Sequence, residues 1–180
     1  MTDRRVALLC GINVGTAKRI AMADLRKVVE GLGCSDVRTL LNSGNVVFTV
    51  PKVRSRDIAM RMEKAVAARL GVATRVTVLA QKEVAEVVRE NPLTAVADNF
   101  SHLLVMVLQE PTAVVQLKPL LKERWAPEAL ALGRRVAYLW CAGGVIDSRV
   151  WAAVSRILGQ AGTARNMATM TKLLALVDGS

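Results

Sequence analysis

Histidine is all but missing from this chain: His102 is the only one in 180 residues, and it sits inside the apolar run HLLVMVL. A histidine-based zinc site, or a serine or cysteine nucleophile activated by histidine, would rest on that one side chain. Its position reads instead as an ordinary strand start. Cysteine is sparse too. Cys10, Cys34 and Cys141 are an odd number with no CxxC spacing, which suggests neither a disulfide framework nor a thiolate metal cage, so they read as small buried hydrophobes. No metal and no cofactor is expected.

Long apolar runs are also lacking. No uninterrupted stretch approaches the ~20 residues that a membrane-spanning helix needs. The first five residues followed by VALLCGINV imitate a short signal peptide, and Ala21-Met22-Ala23 imitates a cleavage site, but Lys18-Arg19 interrupts the apolar region. The expectation is a soluble, cytoplasmic protein without a membrane partner. Its oligomeric state is left open by the sequence.

Several motifs are missing as well: there is no phosphate loop, no dinucleotide fingerprint, no H-E-x-x-H and no nucleophile elbow. Ser43 and Lys172 are conceivable as nucleophile and base, but no spacing puts one beside the other, and Asp24, Asp36 and Asp147 fall where acids cap elements or face solvent. Whether the chain is an enzyme therefore stays open.

Apolar side chains, at 52% of the residues, supply ample material for a core. The net charge is +10, and its excess is mostly N-terminal: residues 1–90 hold 16 basic and 9 acidic side chains, residues 91–180 hold 9 and 6. Charge of that sign invites a nucleic-acid reading. Yet like charges occur only in pairs, and Arg54, Arg56, Arg61, Lys64 and Arg69 alternate with Asp57 and Glu63 as on a solvated helix face.

Residues 5–12, RVALLCGI, have the length of a strand, broken by GINVG at 11–15. Met22, Leu25, Val28, Val29 and Leu32 recur at helical spacing, with Gly31 and Gly33 as stop signals. Strands are expected at 37–41 and 45–50, joined by Ser43-Gly44 as a two-residue hairpin or a slightly wider loop. A helix through Ile58, Met62, Ala65, Val66 and Leu70 and a strand at 74–80 complete a βαββαβ order, the split-βαβ or ferredoxin-like unit.

After a short helix at 82–90 the order repeats: a strand at 102–109, a helix around 112–122, strands near 128–132 and 135–141 about Gly133-Arg134, a helix along Val150, Trp151, Val154, Ile157 and Leu158, and a strand-like 159–166 before a last helix with Met170, Leu173, Leu174 and Val177. The fold expected is α+β: two ferredoxin-like halves, 1–80 and 81–180, packed into one unit. Parity bears on RNA. Val46, Phe48 and Val50 share one face, Asn45, Val47 and Thr49 the other, and residues 5–12 contain no aromatic, so the stacking platform of an RNA-recognition module is missing. Val6, Leu8, Cys10 and Ile12 are expected to point one way and Ala7 and Leu9 the other, both faces apolar and both buried.

Polar residues that resist a packing explanation fall in three places: Asn13 with Gly11 and Gly15; Asn42, Ser43, Gly44 and Asn45; and Thr163, Ala164, Arg165 and Asn166, where Asn166 is a candidate N-cap beside an anion-attracting Arg165. Each also has a structural reading, since Asn and Gly tolerate positive φ and Asn caps helices. The functional expectation is that Asn13, Ser43, Asn45, Arg165 and Asn166 line one polar pocket at the junction of the halves, with Arg165 partly exposed and attracting a small anionic ligand. The alternatives are a nucleic-acid binder using Lys and Arg against phosphates, non-specific and salt-sensitive, and a protein-interaction module without a ligand site.

LCGINVG at 9–15, AMADLRKVVEGLG at 21–33, VRTLLNSGNVVF at 37–48 and TARN at 163–166 ahead of ATMTKL resemble the bacterial family known as domain of unknown function 1697. The resemblance runs over nearly the whole chain. It implies an α+β fold and a cytoplasmic bacterial protein, with no established activity. Cys10, Asn42 and Met167 depart from the family pattern, which generally has Arg, Gln and Trp there.

Overall fold

A computed structural model describes residues 2–179. Two compact units emerge, one formed by Met1–Ala85 with Leu173–Ser180, the other by Glu86–Lys172. The first carries β1 (Thr2–Leu9), α1 (Met22–Glu30), β2 (Ser35–Leu40), β3 (Asn45–Pro51), α2 (Ser55–Leu70) and β4 (Val76–Ala80). These strands form an antiparallel sheet in the order β2-β3-β1-β4, the ferredoxin-like arrangement. The second unit holds β5 (Leu103–Leu108), a 3-10 helix (Pro111–Lys122), β6 (Ala129–Leu132), β7 (Val136–Trp140), α4 (Arg149–Leu158) and β8 (Gly162–Asn166). Its order, β6-β7-β5-β8, reproduces the first sheet strand for strand. The helices α3 (Gln81–Arg89) and α5 (Met167–Asp178) each have residues in both units.

Local chemistry explains most boundaries. Leu25, Val28 and Val29 form the buried stripe of α1, and Ile58, Met62 and Val66 that of α2, which Gly71 ends in the left-handed region at φ 68°. Ser148 caps α4 by accepting from Trp151 N at 3.1 Å. The helix expected around 112–122 is instead a 3-10 helix. Pro119 inside it has no N–H to donate and its ring obstructs the preceding turn, which discourages a regular α-helix.

In unit one the helices cover a core of Ala7, Leu9, Val46, Phe48, Val50, Val76 and Val78. Phe48 therefore points into the protein rather than toward a nucleic acid. The opposite face is just as dry: Val6, Leu8, Val47 and Leu79 are at most 1% exposed. Within this unit Arg4 Nη2 reaches Leu176 O of α5, and Gln81 of α3 bonds Asp178. Unit two behaves likewise. Leu104, Met106, Leu108, Ala137 and Leu139 pack with Val150, Val154 and Leu158, while Leu103, Val105, Val107, Val136 and Tyr138 are buried on the other face. One parity expectation fails. Ile12 joins Ala7 and Leu9 in the helix-side core, because β1 ends at Leu9 and Gly11 at φ 64° turns the chain before Ile12.

Candidate functional site

The loop after β1 is organised by one side chain. Asn13 takes a left-handed conformation, φ 54°, and its Nδ2 donates to Ile20 O at 2.9 Å and to Asn42 O at 2.6 Å. Its Oδ1 accepts from Ile20 N at 2.8 Å, and its own N–H donates to Lys18 O at 3.0 Å. Residues 13–20 thus close into a ring whose two ends meet at Asn13. Gly11 and Gly15, at φ 64° and 62°, allow the chain to enter and leave. Lys18 and Arg19 stand exposed on this ring, and Lys18 itself lies at φ 51°.

Through Asn42 the ring is tied to the β2–β3 connection, so the first two polar clusters seen in the sequence form one patch. That connection is the wider alternative, residues 41–44, rather than a two-residue hairpin. Leu40 still pairs with Asn45 across it. Asn45 is fully buried, with Nδ2 donating to Leu40 O at 2.8 Å and to Ser43 Oγ at 2.9 Å, so its amide staples the turn from beneath. Gly44 has two reasons to be glycine. Its φ is 87°, and a Cβ there would come within 2.8 Å of both Leu9 and Ile12.

Arg165 and Asn166 belong to the second unit. Arg165 is a β8 residue paired with Val105, and it is 9% exposed rather than partly open to solvent. Its Nη1 donates to Ala164 O at 2.8 Å. Arg165 shares one face of the sheet with Thr163, Val105 and Val107, all of them buried. Asn166 is the N-cap of α5, its Oδ1 accepting from Thr169 N at 2.8 Å.

The departures from the family pattern have ordinary surroundings: Cys10 is half-buried, the Asn42 carbonyl receives Asn13, and Met167 sulfur accepts from Asn91 Nδ2 at 3.6 Å. All three cysteines are thiols outside any disulfide, and burial pushes the Cys34 and Cys141 thiols up. Opposing that rise, Arg61 lowers the first and a hydrogen bond with Ser148 lowers the second. His102 lies at the head of β5 with its ring 6.4 Å from that of Trp140. Among the described residues no group of three or more His, Cys, Asp or Glu could hold a metal ion. Nor is any helix among them long and apolar enough to cross a membrane.

Two clusters escaped the sequence reading. Glu128 accepts from Arg149 N at 2.9 Å, Val150 N at 3.2 Å and the Ser148 hydroxyl, a carboxylate set at the N-terminus of α4 from outside the helix. Arg149 in turn lies 5.5 Å from the Trp125 ring centre. The other is Arg5, which opens the apolar run RVALLCGI and is 5% exposed. A charge at the head of a strand with two apolar faces was the available signal.

The solved structure of a conserved bacterial protein from Streptococcus pneumoniae superposes with a TM-score of 0.81 at 20% identity, covering 98% of this chain and 99% of that one. At that identity the likeness is one of fold. None of the curated proteins matches the sequence. The family model described as "Protein of unknown function (DUF1697)" matches residues 1–138, more than half of the chain. The chain therefore belongs to the DUF1697 family of proteins of unknown function.

Proposed function

We propose that the protein binds a small anionic ligand through its Asn/Gly-rich loops, with Asn13, Ser43, Asn45, Arg165 and Asn166 as the residues that shape or contact the bound group. The observation that carries this reading is the ring closed by Asn13. Its amide is spent on Ile20 and Asn42, which holds the backbone of residues 13–20 in place while Lys18 and Arg19 remain exposed. A cationic loop stiffened in advance loses little freedom when an anion arrives. In this reading Asn13, Ser43 and Asn45 are positioning residues and the two cations make the contact. Arg165 has the equivalent role in unit two, next to the α5 N-terminus capped by Asn166, where a helix favours negative charge.

A second reading has its own support. Val14 and Leu41, neighbours of the bonded pair Asn13 and Asn42, are 71% and 54% exposed, which suits a protein partner. Thermal unfolding with carboxylated and phosphorylated compounds at constant ionic strength separates the two. Ligand binding predicts a saturable rise in Tm, reduced in a Lys18→Ala/Arg19→Ala variant and in Arg165→Lys. The lysine keeps the charge of the buried Arg165, so this variant is preferred to alanine. No rise with any such compound, together with self-association relieved by Val14→Ser/Leu41→Ser, favours the interaction reading.

A further inference from the structure

We propose that β6 is an interaction edge at which a second copy of this chain pairs antiparallel, about a two-fold axis through Ala131, so that two four-stranded sheets join into one. This edge lies in unit two and is independent of the Asn13 ring in unit one.

Strands β2 and β6 hold the same place in their sheets, outermost beside β3 and β7. The β2 edge is blunted. Its register slips between Ser35 and Arg38, Asp36 stands there at φ 49°, and Asp36 and Arg38 are exposed charges. Irregularities and charges of this kind keep an open edge from pairing with another chain. β6 has neither: Ala129, Leu130, Ala131 and Leu132 pair with β7 in unbroken register, carry no charge and no proline, and are all half-buried. The helices that follow β1 and β5 differ in the same sense. α1 exposes Arg26, Lys27 and Glu30, whereas the 3-10 helix exposes Val115 and Leu121 beside Lys118 and Lys122.

The hydrogen bonding of the ladder fixes which way β6 presents its backbone. Gly133 N–H donates to Val136 O at 2.8 Å, so by alternation Ala131 and Ala129 are the β6 residues that exchange bonds with β7. The far side of β7 agrees, since Leu108 N–H donates to Arg135 O and Cys141 N–H to His102 O, which turns Ala137 and Leu139 toward β5. Leu130 and Leu132 therefore direct their N–H and C=O groups to the open side, as a template for another strand.

Self-complementarity identifies the occupant. Outward-directed groups must meet outward-directed groups, and the register that matches both leucines opposes Leu130 to Leu132 of the second copy, with Ala131 on the axis. The leucine side chains then meet on the helix-covered face, where each already packs against the core. Arg134, exposed in the turn after β6, comes to the end of the second strand that Glu128 precedes, and the axis repeats this opposition of charges. A chain of net charge +10 can thus associate with itself here without apposing like charges.

The test is sedimentation equilibrium of the full chain over a range of concentrations, with amide-resolved hydrogen exchange on the same samples. A reversible monomer–dimer equilibrium is expected, in which the Leu130 and Leu132 amides gain protection with concentration by a larger factor than the Ala131 amide, which is bonded to β7 in either state. Arg134→Glu should weaken the dimer at least tenfold, because the two-fold axis applies each reversal twice. If that variant does not fold, the exchange pattern of the unaltered chain decides. Val14→Ser/Leu41→Ser should dimerise as the unaltered chain does. A chain that stays monomeric at every concentration leaves the edge to an extended segment of a different protein and overturns the proposal. So does a dimer whose Leu130 and Leu132 amides exchange as in the monomer, a folded Arg134→Glu variant that dimerises unchanged, or association abolished by Val14→Ser/Leu41→Ser.

Discussion

Asn13 and Asn42 are 29 residues apart in the chain and joined by a hydrogen bond of 2.6 Å, side-chain nitrogen to backbone oxygen. That single contact fuses the loop after β1 with the β2–β3 connection. It also makes Asn13 separable into two properties, a backbone at φ 54° and an amide with three bonds.

Those two properties predict an ordered pair of variants. Asn13→Gly keeps the positive φ and loses the amide, which at ~0.5–1.5 kcal/mol for each of its three hydrogen bonds should cost about 1.5–4.5 kcal/mol. Asn13→Ala adds the left-handed penalty of roughly 1 kcal/mol and should be the less stable. Denaturant unfolding measures both, and equal stability of the two variants would contradict the strained backbone assigned to this residue.

Gly44→Ala should be severe for its size. The new Cβ would sit 2.8 Å from Leu9 and Ile12, both buried, at a φ of 87°. Overpacking of ~1–3 kcal/mol and the conformational penalty together suggest a loss of roughly 2–4 kcal/mol. Gly11→Ala meets no atom within 4 Å and should cost only the conformational part. Comparing the two urea midpoints tests the assignment.

Alkaline pH should unfold the protein through Tyr138. Tyr138 is 2% exposed, and its hydroxyl donates to Val87 O at 2.9 Å and has a pKa pushed up to about 12 by burial and then by Glu90. The folded pKa lies above the unfolded value, so this stability is fully present below about pH 10 and is lost as pH rises toward about 12. The linked amount is of order 2–3 kcal/mol. Tyr138→Phe should be less stable at neutral pH, through the unpaired Val87 carbonyl, but should show a shallower decline of Tm between pH 9 and pH 11.

Side-chain periodicity made much of the fold legible. Leu25, Val28 and Val29, or Ile58, Met62 and Val66, needed only helical spacing to be read, and the unbroken apolar character of residues 6–9 in β1 and of β5 already implied burial on both faces. Where the chain direction depends on a single positive φ, periodicity fails: Gly11 puts Ile12 with Ala7 and Leu9. Pairings distant in sequence were also hidden, as with Glu128 reaching Ser148 and Arg5 reaching Ser55. At the candidate site Asn13 and Asn45 were visible because an amide beside glycine breaks an apolar run at a strand end, where turn-forming residues gather. Their hydrogen bonds to Ile20, Asn42 and Leu40 depend on loop conformations that no periodic pattern encodes.

The most direct measurement of the central claim, that the Asn13 ring receives an anion, is an amide-resolved NMR titration of the full chain with carboxylated and phosphorylated compounds. The account predicts saturable shifts at Gly11, Gly15, Lys18, Arg19 and the residue 42–44 amides, absent in Lys18→Ala/Arg19→Ala. Loop amides that stay in place for every compound, while the spectrum remains that of the folded protein, would contradict it.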